Sequence, residues 1–110
     1  MSWTVDSSGT QTATGSGTED VLVAGATTNA TYQLKVDLSN MALGDVTLLK
    51  VYTKALTGGT LRLAWSGVYS NIPITQIAIS PMIASDFSIK CSLTQLVGTG
   101  RGYDWSLLRA

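Results

Sequence analysis

Side-chain polarity alternates with a period of two along much of this chain. Over residues 31–38, Tyr32, Leu34, Val36 and Leu38 fall on one side, and Gln33, Lys35 and Asp37 fall on the other. Successive side chains of a strand point to opposite faces, so this is the pattern of a strand buried on one face. The same alternation predicts three more long strands. Residues 46–56 set Leu49, Val51, Thr53 and Ala55 against Lys50, Tyr52 and Lys54. Residues 61–69 set Leu61, Leu63 and Trp65 against Arg62, Ala64 and Ser66. Residues 87–96 set Phe87, Ile89, Cys91 and Leu93 inward, and Ser88, Lys90, Ser92 and Thr94 outward. Shorter strands are predicted at 21–23 and 74–80, and Tyr103, Trp105 and Leu107 close the chain as a last one.

Turn chemistry separates these runs. Gly44-Asp45, Gly58-Gly59, Ser80-Pro81 and the glycine-rich residues 97–102 stand between them, and Gly58-Gly59 marks a hairpin. Residues 39–43 have room for one helical turn, and no window is amphipathic at helical period. Seven or eight short strands with turns between them predict an antiparallel β-sandwich or a barrel. Residues 7–18 are Ser, Thr, Gly, Gln and Ala without apolar periodicity. They read either as a flexible arm or as an extended edge segment, and a partly ordered arm is the favoured reading. The expected organisation is an N-terminal arm over 1–17 and a β-sandwich over 18–110.

Composition narrows the function. Hydrophobic residues make up 45% and charged residues only 13%, so much of the surface is Ser, Thr, Gly and Ala. Low charge guards poorly against association, which points to a surface covered by neighbours. Lys plus Arg equals Asp plus Glu at 7 each, so no basic excess steers the chain to nucleic acid. The polar N-terminus and the lack of a long apolar run give the expectation of no export signal and no membrane span.

Histidine is absent, which removes the commonest general base and metal ligand. The single Cys91 falls on a buried face by parity, where a thiol is inert. Asp45, Asp86 and Asp104 stand near strand ends or turns, as residues that accept backbone N–H groups. No catalytic residue, cofactor site or metal site is expected. Trp65 and Trp105 read as core. Trp3 lies outside the predicted core and reads as an anchor into another chain, or as folded back on its own domain.

Two stretches carry a resemblance. One is residues 26–38 with Gly44-Asp45-Val46. The other is residues 80–87, running on to Gly98-Thr99-Gly100-Arg101-Gly102-Tyr103-Asp104-Trp105-Ser106-Leu107-Leu108. They resemble small virion proteins of tailed bacteriophages, of the kind that decorate or cement a capsid, and the resemblance covers most of 18–110. It implies a jelly-roll-like sandwich, assembled as a homodimer or homotrimer on the major capsid protein. The implied location is a virion assembled in the host cytoplasm. Candidate contact residues are Trp3 and Val5 in the arm and Gln33, Lys35, Lys50, Tyr52 and Lys54 on outward sheet positions. Two rival expectations are a tail, neck or fibre component, and a carbohydrate-binding sandwich that stacks sugars on Tyr69, Tyr103 or Trp105.

Overall fold

The computed structural model describes residues 3–15, 17–26, 29–56, 58–85 and 88–110. The expectations for Asp86 and Phe87 fall outside these. Among the described residues there are nine strands and no helix: β1 (Thr4–Thr12), β2 (Glu19–Ala26), β3 (Ala30–Asp37), β4 (Val46–Thr53), β5 (Arg62–Ser70), β6 (Ile77–Ile79), β7 (Ile83–Ser85), β8 (Ile89–Val97) and β9 (Gly102–Arg109). They form two antiparallel sheets. One, sheet A, runs β1-β9-β3-β6, with β7 also on β3. The other, sheet B, runs β2-β8-β4-β5.

The alternation read from the sequence is the packing of the core. Tyr32, Leu34, Val36 and Leu38 are buried, and opposite them on β9 stand Leu107 and Trp105. From sheet B, Leu49 and Val51 on β4 meet Leu93 and Cys91 on β8, and these side chains complete one cluster with the first set. Each fully buried aliphatic side chain contributes about 1.5–3 kcal/mol, so this layer dominates the stabilisation. A polar tie crosses it: the hydroxyls of Thr47 on β4 and Tyr103 on β9 lie 2.8 Å apart, both buried. Cys91 is fully buried, and desolvation pushes its thiol up to about 12, which leaves it protonated and unreactive.

Several local expectations differ from what is found; the strand expected over 46–56 ends at Thr53, and Ala55, expected inward, is exposed. Residues 4–12 are not a free arm. They take the edge-strand alternative, with β1 paired to β9 from Thr4↔Arg109 to Thr12↔Gly102. Thr-rich sequence favours extended backbone, and β9 offers an unpaired edge to receive it. Leu63 does not share the inward face of Trp65. A bulge opposite Val51 and Tyr52 inserts Ala64 and turns Leu63 outward, while Trp65, Gly67 and Tyr69 keep the inner parity. The expected strand over 74–80 shrinks to β6, and Ile74 is fully exposed.

Candidate interaction surfaces

The register places each contact residue expected from sequence. Val5 on β1, Leu108 on β9 and Gln33 on β3 form one row across the outer face of sheet A. Ser8, Ser106, Lys35 and Ile79 form the next. A hollow of about 300 Å³ opens in this face, lined in part by Lys35, Asp37, Ile77, Asp104 and Ser106. Val5, Ile77 and Ile79 are 57%, 40% and 51% exposed. The amide of Gln33 donates to the Ser80 carbonyl oxygen at 2.9 Å, whereas Lys35 has no ion pair among the described residues. Trp3 stands just before β1 and is exposed.

Lys50 and Tyr52 lie on the other side of the molecule, on the outer face of sheet B. The expected contact residues are therefore not one patch. There, the Glu19 carboxylate accepts hydrogen bonds from Ser92 Oγ at 2.6 Å and Tyr52 Oη at 2.7 Å. Lys90 Nζ sits 3.9 Å from the same carboxylate and 4.9 Å from the centre of the Tyr52 ring. The Ser92 and Tyr52 hydrogen bonds hold the Glu19 carboxyl below its ordinary value, while burial and Glu19 push the Tyr52 phenol up. These groups satisfy one another, so this face offers a partner less than sheet A does. Lys54 lies just beyond the end of β4, half-buried.

The described carboxylates are engaged. Asp20 accepts from the backbone and hydroxyl of Thr14, Asp37 from the Ser39 N–H, and Asp104 from the Thr10 hydroxyl. Asp6 pairs with Arg109 at 3.2 Å. Asp45 is the most deeply placed: its buried carboxylate accepts from Arg101 Nε at 2.8 Å and from the Ala42 N–H at 2.9 Å. Buried Gln95 stands beside it. Its amide donates to the Thr99 carbonyl at 2.6 Å and accepts from the Arg101 N–H at 3.1 Å. Together they clamp the β3–β4 turn to the β8–β9 loop, and the Ala13 N–H bonds the Arg101 carbonyl to add the β1–β2 connection. The chain parity that puts Leu93 inside also puts Gln95 inside, a signal in the sequence that its polar side chain masks.

Hydrogen bonding to Arg101 holds the Asp45 carboxyl below its ordinary value of 3.8. A lowered carboxylate contributes stability above its unfolded value and loses it as pH falls through the folded one. Unfolding midpoints in urea should therefore drop as pH falls from about 5 to about 2. Asp45→Asn should be destabilised at neutral pH but show a flatter decline. An unchanged slope in that variant would remove Asp45 from the acid response.

Tyr103 is enclosed between the sheets, and Tyr69 and Trp105 pack partly buried against the core. The three do not make an exposed stacking platform. No protein-family model matches this chain, and no curated protein matches it. Among solved structures, the crystal structure of PirA is similar, with a TM-score of 0.60 and 16% sequence identity over 97% of this chain and 96% of that one. At that identity the likeness bears on the fold alone, a two-sheet all-β arrangement.

Proposed function

We propose that this chain is a structural virion protein that decorates and reinforces a bacteriophage capsid by packing against the major capsid protein and copies of itself. The fold proposed with it is a jelly roll, which the interleaved order β1-β9-β3-β6 facing β2-β8-β4-β5 supports. The observation that carries the reading is the outer face of sheet A. Exposed Val5, Ile77 and Ile79 stand there with Gln33 and with Lys35, which has no ion pair among the described residues, and Lys35 and Ile77 line a shallow hollow. The apolar side chains stand on the edge strands β1 and β6 and the polar ones on β9 and β3 between them, a mixed face of the kind non-obligate interfaces use, and about 800 Å² per partner makes a stable one. Repeated over a shell, such contacts must be released one subunit after another before the lattice opens.

A reconstruction of particles that contain this chain tests the location, with density on the outside of the shell expected. Density on the tail alone overturns the capsid assignment. Ile79→Asp should weaken co-sedimentation with shells about tenfold or more, because one buried apolar anchor is worth upwards of 1.4 kcal/mol. Lys50→Glu on the opposite face should leave it unchanged. Equal losses from both variants would overturn the choice of face.

A further inference from the structure

A sandwich of two open sheets exposes its edge strands, and an unpaired edge invites another chain unless it is guarded. Three of the edges here are guarded. β1 carries Asp6 at a bulge between Val5 and Ser7. β2 opens with Glu19-Asp20 and has two register shifts. β6 and β7 are three residues each, separated by a segment that contains Pro81. β5 is different. It has nine residues and no Asp, Glu, Lys or Pro, and although Ala64 bulges near its start, from Trp65 to Ser70 it runs in unbroken register with β4. On its other side no strand stands among the described residues.

We propose that β5 is the edge on which a second copy of this chain pairs, β5 against β5, antiparallel about a two-fold axis normal to the sheet. Two four-stranded sheets then join into one of eight strands. Three features select a second copy as the occupant. Arg62 is the strand's one charge and lies at its start, so antiparallel pairing sends the two guanidinium groups to opposite ends of the joint. Leu56 precedes β5, and Ile72 and Ile74 follow it, all exposed. The same pairing sets the start of one β5 beside the end of the other, which brings the segments that carry these exposed side chains toward one another. Finally, a two-fold joint consumes both edges and closes, which leaves no end for fibre growth. The unbroken stretch from Trp65 to Ser70 gives a ladder about 20 Å long at 3.4 Å per residue, and narrow. The Leu56 and Ile72/Ile74 segments at both ends, with Leu63 and Val68 (52% and 63% exposed) along its outer side, widen it toward the area a stable dimer needs.

This inference deepens the self-association in the capsid reading by naming its surface, and the experiment separates the two because it uses the free chain alone. Sedimentation equilibrium of the purified protein should give twice the 11.6 kDa of one chain. Val68→Lys, which adds the guard that β5 lacks, should halve the mass while the circular-dichroism spectrum stays that of a folded sheet protein. Hydrogen exchange on the unmodified chain supplies a second reading: β5 amides should slow as concentration rises through the association range. A monomer at every concentration overturns the proposal. So does a trimer, a dimer that survives Val68→Lys, or β5 amides whose exchange ignores concentration. Failure to bind shells would leave a β5 dimer standing.

Discussion

Gly98→Ala is expected to cost this domain about 3 kcal/mol or more, as two independent penalties add. The first is conformational. Gly98 has φ = 109°, where a side chain is strained. The second is steric. A Cβ at this position would run into Asp45 Oδ1 and stand 2.8 Å from Gln95 Nε2, so the clamp between the β3–β4 turn and the β8–β9 loop would have to open. Opening it leaves a buried carboxylate short of its Arg101 partner, and an unpaired buried charge is expensive. Gly17→Ala is the control, since φ there is 79° but nothing lies within 4 Å of the added carbon. It should cost only about 1 kcal/mol. Urea midpoints of the two variants measure the difference, and equal losses would show that the contact with Asp45 carries no weight.

That clamp shows where the chain pattern was legible and where it was not. Parity alone placed Tyr32, Leu34, Val36, Leu49, Val51, Cys91 and Leu93 inside, because a sheet buried on one face enforces period two. It was equally informative for Gln95 and Thr47, whose polar side chains occupy inward positions and find partners there. Polar identity had hidden them. Bulges are harder. The inserted Ala64 reverses every later side chain relative to Leu63, and nothing in the residues 61–69 announces it. β1 was ambiguous for another reason: an edge strand without an apolar face has no periodicity to read, and its order comes from the ladder with β9. Parity separates Gln33, Lys35, Lys50 and Tyr52 from the core, whereas Ser92 and Thr94, expected outward on β8, are buried. The grouping of the outward residues was not legible, since only the strand order puts Lys35 and Lys50 on opposite sides of the molecule.

Leu34 and Leu107 give the most direct test of the register between β3 and β9, neighbours in sheet A whose inner side chains enter the shared core. They stand directly opposite each other on β3 and β9 and are essentially inaccessible to water. Truncation of either to alanine should cost about 2–5 kcal/mol, the transfer term plus the cavity left in a close-packed interior. A domain of this size has about 5–15 kcal/mol in all, so either variant should remain folded but lose much of its margin. The double variant decides the geometry. Because the two side chains share one site, the second truncation enlarges a cavity already present rather than opening a new one, and the combined loss should differ from the sum by at least about 0.5 kcal/mol. Leu34→Ala with Val68→Ala, a pair split between the core and the outer face of sheet B, should add without coupling. Additive losses for Leu34 and Leu107 would mean the two do not face each other, and the register between β3 and β9 would be wrong.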